Sequence, residues 1–185
     1  MEANYIISAR KQFEYYQALG SKTFDQLSDE DLFKKDHSDG NSIAIVVNHM
    51  WGNMRSRWTD FLTADGEKEW RQRDQEFEDL IQSREELLTK WEEGWNCLYS
   101  ALDSVNEDNF STPVYIRNQA HTIVDAVNRQ LCHYAYHVGQ IVLMGKQYQG
   151  SDWQSLSIPK GQSKAFNAEK FSRGKHGGHF TDDIK

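Results

Sequence analysis

The sequence has few features of secreted or membrane proteins. Only two cysteines, Cys97 and Cys132, occur in 185 residues, too few for a disulfide framework and typical of ordinary thiols in a reducing compartment. There is no run of about eighteen apolar residues, the length that a membrane helix needs. The segment 1–16 carries acidic and basic side chains where a secretory signal would be apolar. These absences predict a cytoplasmic protein that does not cross a membrane.

The charge of the chain and its loop motifs do not indicate nucleic-acid or nucleotide binding. The formal net charge is −7, and the 21 Lys and Arg residues are scattered along the sequence. Nucleic-acid binding needs basic side chains concentrated on one face. The sequence also has no internal repeat, no glycine-rich phosphate loop and no G-x-S-x-G nucleophile motif. We therefore expect no nucleic-acid partner.

The apolar and aromatic content is sufficient for one folded domain. Hydrophobic residues make up 38% and aromatic residues 12% of the chain, which argues against disorder. Apolar residues recur at helical spacing at 5–16, 43–62, 75–102 and from 123 to about 148. This pattern predicts an all-α four-helix bundle, with a short extended segment at 113–117 before the last helix. We expect a single domain at 1–166 and a mobile tail at 167–185.

Several helix ends can be predicted from capping residues. Gly20 is a candidate left-handed residue that ends the first helix. Ser28 with Asp31, and Thr122 with Asp125, have the spacing of capping boxes, in which two side chains bond the backbone at a helix start. These positions predict a short helical turn after 28 and the start of the last long helix after 122.

The most informative motif is H-x-x-x-H, formed by His133 and His137 in the last predicted helix. Residues four apart lie on the same face of a helix, so both imidazoles can reach one metal ion. The same spacing also occurs by chance on core or solvated faces, and a third ligand is needed to favour a metal. His49 in the second predicted helix is that candidate. The alternative is a histidine at the bundle margin whose nitrogens are hydrogen-bonded.

Other polar residues near these histidines have supporting roles in this interpretation. The amides of Asn53, Gln130 and Gln140 could orient ligands or water. Arg57 and Arg129 are candidates to meet an anionic substrate, although arginines on a bundle surface are often only solvated. His121, His176, His179, Cys97 and Cys132 are not assigned as ligands.

Three neutral imidazoles have a definite chemical consequence. They leave a divalent ion with its full charge and at least one open position, which is the arrangement of catalytic rather than structural zinc. Such an ion can lower the pKa of a bound water or thiol toward neutrality. The sequence therefore predicts a metal centre at which chemistry is possible.

The order of the helices and their histidines resembles the DinB/YfiT superfamily of small bacterial metal-binding bundles. The sequence H-Y-A-Y-H-V-G-Q at 133–140 matches the last-helix signature of that superfamily, and Asn48 and His49 match its second-helix position. The sequence S-I-P-K-G-Q-S at 157–163 resembles a branch that is common in bacilli. The resemblance covers roughly 3–166.

The resemblance implies a divalent ion, zinc or nickel, held by His49, His133 and His137. It also implies a homodimer and, in members with an assigned activity, a thiol-dependent transferase or isomerase that uses a low-molecular-weight thiol such as bacillithiol or mycothiol. The exposed position expected for Trp51, Trp70 and Tyr136 is a second reason to expect a homodimer. The alternatives are a non-catalytic metal-binding protein of a stress response and a metal-dependent hydrolase.

Overall fold

The computed structural model describes residues 2–183 and is mostly helical, which confirms the predicted all-α class. The α-helices in this part of the chain are α1 (Glu2–Phe24), α2 (Asp29–Phe33), α3 (Ile43–Trp58), α4 (Arg84–Asp103), α5 (Ile123–Gln149) and α6 (Ser163–Ser172). The strands β1 (Val114–Ile116) and β2 (Gln119–His121) form an antiparallel pair, and short 3-10 turns span Asp74–Phe77, Gly150–Asp152 and Phe180–Asp183. No helix among the described residues combines the length and the apolar character needed to cross a membrane.

The predicted helix starts at Ser28 and Thr122 are confirmed. The Ser28 hydroxyl accepts a hydrogen bond from the Asp31 backbone N–H, and the Asp31 side chain accepts one from the Ser28 N–H. The Thr122 hydroxyl accepts a bond from the Asp125 N–H at 3.0 Å and so begins α5. In both places the side chain satisfies a backbone donor that has no partner within the helix.

Gly20 does not end α1, so that prediction was wrong. The helix continues to Phe24, and the φ angle of Gly20 is not positive. A methyl group at position 20 would overlap the indole ring of Trp91. Glycine at position 20 therefore allows α1 and α4 to approach each other closely. Tertiary packing, and not a helix end, explains this residue.

The third long helix begins at Arg84, later than the predicted start near Gln75. The hydroxyl of Ser83 accepts a hydrogen bond from the Glu86 N–H at 3.1 Å and caps the helix there. Phe77 and Leu80 belonged to the predicted apolar stripe, yet they are 39% and 49% exposed. The residues from 59 to 83 instead form a long connection, in which the 3-10 turn Asp74–Phe77 packs against α3.

The extended segment predicted before the last helix pairs with a second strand that was not predicted. Residues Arg117 and Asn118 join β1 to β2, and both have positive φ angles, 55° and 60°, as in the tight two-residue turns of hairpins. The carboxylate of Asp65 accepts hydrogen bonds from the backbone N–H of Arg117 at 2.8 Å and of Asn118 at 2.7 Å. Asp65 therefore holds the hairpin turn against the connection 59–83.

The centre of the core contains one aromatic side chain from each long helix. The ring centroid of Phe13 in α1 lies 6.5 Å from Trp58 in α3, 6.3 Å from Trp95 in α4 and 6.0 Å from Tyr134 in α5. The buried Tyr134 hydroxyl accepts a hydrogen bond from Trp58 Nε1 and donates one to Asn53 Oδ1, both at 3.0 Å. These bonds connect α3 and α5 in the core beside His133, the residue that precedes Tyr134.

The C-terminal segment contacts α1. The ion pair between Lys11 and Asp182 spans 2.7 Å, and the rings of Tyr15 and Phe180 meet edge to face at 5.7 Å. The predicted boundary at 166 falls inside α6, and the mobility of 167–185 stays a prediction. The predicted ranges also include Met1, Ile184 and Lys185, which lie outside the described residues.

Candidate metal centre

The fold brings together the three histidines that the sequence pattern selected. His49 extends from α3, while His133 and His137 extend from consecutive turns of α5. The Nε2 atom of His133 lies 3.4 Å from Nε2 of His49 and 3.0 Å from Nε2 of His137. Within residues 2–183, this is the one group of three or more His, Cys, Asp or Glu side chains placed to hold a metal ion.

The environment of His133 and His137 favours their neutral forms. His49 is buried, and the other two are half-buried. Burial, together with the like charges of the neighbouring His137 and His49, lowers the pKa of His133 to about 3. Burial also lowers the pKa of His137, although its hydrogen bond to Gln140 opposes this effect. Neutral imidazoles are the form that can donate a lone pair to a metal.

Glu76 is the part of the site that the sequence analysis missed. Its Oε2 lies 2.9 Å from Nδ1 of the buried His49. Arg71 donates two hydrogen bonds to the same carboxylate, at 2.7 Å and 2.9 Å. Burial raises the pKa of Glu76, but the hydrogen bonds from His49 and Arg71 outweigh it and hold the pKa below its usual value. Glu76 is therefore an ionised acceptor that fixes the proton of His49 on Nδ1.

Space for the Glu76 carboxylate depends on a glycine in α3. A methyl group at Gly52 would lie 2.5 Å from Oε1 of Glu76, a distance at which the carboxylate would have to move. On the other side, the ring of Phe77 stacks on His49 with 4.7 Å between centroids and 25° between planes. The position of His49 is thus set by two contacts from the 3-10 turn, with Glu76 and with Phe77.

Hydrogen bonds at Nδ1 of His49 and of His137 leave the Nε2 lone pairs of both rings directed toward the centre of the three-histidine group. Gln140 Oε1 lies 2.9 Å from Nδ1 of His137, so this amide and Glu76 each accept from a Nδ1–H. The Nε2 atoms of His49 and His137 are then both acceptors. Both face Nε2 of His133, which can offer a hydrogen to only one of them. At least one lone pair therefore points into the group without a hydrogen, so the group could hold a cation there.

The remaining amides and the unassigned ligands occupy different places. Asn53 accepts from Tyr134 and borders the cavity at the histidines, and Gln130 borders it with a buried Oε1 that has no partner among the described residues. Cys97 is partly buried near Thr59, and Cys132 is exposed. The unassigned histidines at 121, 176 and 179 are also outside the three-histidine group.

An open cavity of about 400 Å³ adjoins the histidines and is unusually rich in arginine. The arginines of its wall come from α3, the connection 59–83, the hairpin turn and α5, and they are Arg57, Arg71, Arg73, Arg117 and Arg129. The sequence analysis considered two of these, Arg57 and Arg129. The other three are far from the histidines in sequence, and only the folded chain brings them to the site.

The family model described as "Protein of unknown function (DUF1572)" matches residues 1–162. The chain belongs to this family. The DUF1572 match includes the three histidines, Glu76 and all five arginines of the cavity, and it ends one residue before α6. No curated protein matches the chain.

Proposed function

We propose that this DUF1572 protein is a four-helix bundle of the DinB/YfiT type in which His49, His133 and His137 hold one divalent ion. The observation that carries the proposal is the convergence of three imidazoles, whose ligand atoms all lie within 4.8 Å of one another. The Nε2 atom of His133 is 3.4 Å from that of His49 and 3.0 Å from that of His137. Nitrogens about 2.1 Å from one zinc ion are separated by roughly 3.0 to 3.4 Å at ordinary coordination angles, so these two separations fit the ion.

The type of ligand favours zinc or nickel. Neutral imidazoles suit these borderline ions better than magnesium or calcium, which prefer oxygen ligands. Three protein ligands leave at least one coordination position for another molecule, and the cavity of about 400 Å³ provides access to it. When bound, such an ion lowers the pKa of a thiol or water that coordinates it.

The proposed activity is transfer of a low-molecular-weight thiol of the bacillithiol type to an electrophile. A carbon–sulfur bond forms, the electrophile's leaving group departs with its electron pair, and the thiol proton passes to solvent. The cysteines of the chain lie outside the three-histidine group, so the thiol would be an external molecule. Glu76 and Gln140 would hold the imidazoles in one orientation while the cavity wall holds the two reactants.

Metal content tests the first part of the proposal. After purification without chelators, or after reloading, elemental analysis should find about one ion per chain. The His133→Ala and His49→Ala variants should lose it. His121→Ala is the matched control, since this half-buried histidine lies in β2 outside the group. Retention of the ion by both alanine variants at the parent affinity would place the metal elsewhere.

Cobalt substitution tests the second part. Addition of bacillithiol, glutathione, cysteine or coenzyme A to the cobalt-loaded protein should produce a sulfur-to-metal charge-transfer band with at least one of them. The band should be absent in His137→Ala, and the active thiol should then be conjugated to members of an electrophile panel. If no thiol changes the cobalt spectrum at millimolar concentration, the transferase activity is wrong and a non-catalytic metal-binding protein takes its place.

We also propose that the chain forms a homodimer. Tyr136 and Leu143 on α5 are 63% and 57% exposed, and Ile7 on the adjacent α1 is 55% exposed. Exposed apolar side chains on neighbouring helices are common at interfaces. Two other aromatic residues were expected to be exposed. Trp70 is exposed, whereas Trp51 is partly covered by Lys90, whose Nζ lies 3.7 Å from the centroid of the Trp51 ring.

A further inference from the structure

The cavity at the histidines concentrates positive charge in an acidic protein. Five of the nine arginines in the chain border it, although the formal net charge of the whole chain is −7. None of the lysines in the described part of the chain borders the cavity. A guanidinium offers a planar pair of donors that matches carboxylate and phosphate, whereas an ammonium group is a point charge. The composition of this wall is therefore that of a binding site for anions.

Carboxylates of the protein neutralise only part of this charge. Glu67 contacts Arg71 and Arg117, each at 3.3 Å, and Arg57 at 3.9 Å, while Glu76 pairs with Arg71. Five guanidinium charges against these two carboxylates leave an excess of three. This excess faces the cavity beside the three-histidine group.

The two remaining arginines are free to bind a ligand. Arg73 in the connection 59–83 and Arg129 in α5 are exposed. Neither side chain has a hydrogen-bond or ion-pair partner among residues 2–183. They approach the same cavity from separate elements.

A buried arginine adds a second, independent observation. Arg57 is 6% exposed, and its Nε atom is buried without a hydrogen-bond partner in the described part of the protein. Burial lowers the pKa of Arg57, and the like charges of Arg71 and Arg129 add to that effect. A buried donor without a partner is unfavourable. The repulsion between these like charges decreases when an anion lies among them.

We propose that the ligand of this cavity is a small dianion whose carboxylate or phosphate groups pair with Arg73 and Arg129. The reactive end of this dianion lies toward the three histidines. Only the chemical identity of that end rests on the proposed function. The size of the cavity, about 400 Å³, suits a small molecule. The formal net charge of −7 of the whole chain opposes an extended polyanion.

Calorimetric titration of the zinc-loaded protein tests this inference. Succinate and glycerol 3-phosphate are the two dianionic probes, which distinguish carboxylate from phosphate, and succinamide is the neutral analogue. We expect at least one dianion to bind and succinamide to bind much more weakly. The double variant Arg73→Gln/Arg129→Gln should weaken dianion binding by about tenfold or more, as expected for two lost ion pairs, and should keep its metal.

Arg55→Gln is the matched control. Arg55 lies on α3, as Arg57 does, but contacts Trp51 and Glu93 instead of the cavity. Its replacement should leave dianion affinity at the parent value. Equal affinity of the double variant and the parent would overturn the inference, and so would binding of succinamide as tight as that of the dianions.

The test separates this inference from the proposed function. The titration is repeated on the protein as purified, whatever its metal content. If elemental analysis finds no metal and dianion binding still depends on Arg73 and Arg129, the metal centre is wrong and the anion site stands. If the metal is present and dianion binding is independent of both arginines, the anion site is wrong and the metal centre stands.

Discussion

Glu76 and His49 form a buried carboxylate–imidazole pair, with 2.9 Å between Oε2 and Nδ1. The pair joins the irregular connection 59–83 to α3, and Arg71 closes it from the other side of the carboxylate. An ionised partner of this kind holds the ring orientation and makes Nε2 a stronger donor to a metal.

Glu76→Gln should therefore weaken metal binding by about 10- to 100-fold, the usual effect of losing such a partner. The amide keeps the size of the side chain but removes the charge that His49 and Arg71 contact. Competition with a chelator of known affinity measures the change. Glu78→Gln, which alters an exposed glutamate two residues away, should have the parent affinity. An unchanged affinity in Glu76→Gln would show that this pair does not support the ligand.

Gly52→Ala should destabilise the protein by about 1–3 kcal/mol, the range expected for overpacking. The new methyl group meets the Glu76 carboxylate, so metal affinity should fall as well. Gly139→Ala is the matched control, because this glycine lies between His137 and Gln140. Apart from its chain neighbours and the backbone of its own helix, no described atom lies within 4 Å of the added methyl group. That variant should gain up to about 1 kcal/mol from helix propensity. Free energies of unfolding are measured with urea. Equal values for Gly52→Ala and Gly139→Ala would contradict the close contact between position 52 and Glu76.

The stability of the metal-free protein should fall as the pH decreases below about 6.5. Burial lowers the pKa of folded His133 to about 3, so between these two values the unfolded chain binds a proton that the folded chain does not. The free energy of unfolding then rises with pH through this window and levels off above it. Urea midpoints near neutral pH and at about pH 5 measure the difference, which should be smaller in His133→Gln. An equal difference in both proteins would assign the effect to other groups.

Tyr134→Phe should cost about 1–3 kcal/mol, because the change leaves Trp58 Nε1 and Asn53 Oδ1 buried without partners. Thermal or urea unfolding measures the loss. Tyr136→Phe removes the same atom from an exposed side chain on the same helix and should remain within about 0.5 kcal/mol of the parent. Similar values for the two variants would mean that the buried hydroxyl contributes little.

The proposed homodimer predicts a mass of twice 21.6 kDa in light scattering at micromolar concentration. Leu143→Arg places a charge among the exposed apolar residues of α5 and should yield the monomer mass. Leu80→Arg makes the same change at an exposed leucine in the connection 59–83 and should stay dimeric. A parent protein that scatters as 21.6 kDa would exclude the dimer.

Local sequence patterns were sufficient to predict several elements and the histidine group. The four long helices carry periodic apolar residues, and Ser28 and Thr122 have the capping spacing that the structure contains. The i, i+4 spacing of His133 and His137 follows from helix geometry alone. His49 could be added because only a few histidines lie on apolar helices.

Other features depend on contacts between distant parts of the chain. Gly20 is a local signal for a helix end, but α1 continues through it. A glycine is needed there because the Trp91 ring of α4 packs against position 20. Glu76 is 27 residues from His49 and lies in a segment whose apolar residues mimic a helix. The cationic residues are scattered in the sequence, yet the fold gathers five arginines at one cavity. Spacing along the chain contains no information about such meetings.

The histidines of the site lie on helices, whereas most arginines of the cavity lie on connecting segments, and these two groups can change independently within the family. The three histidines lie on the long helices α3 and α5, whereas Arg71, Arg73 and Arg117 lie on the connections between helices. Substitutions or insertions in these connections can change the charge of the cavity without moving the helices. Relatives that keep all three histidines are therefore free to differ in the charge of the molecule they accept.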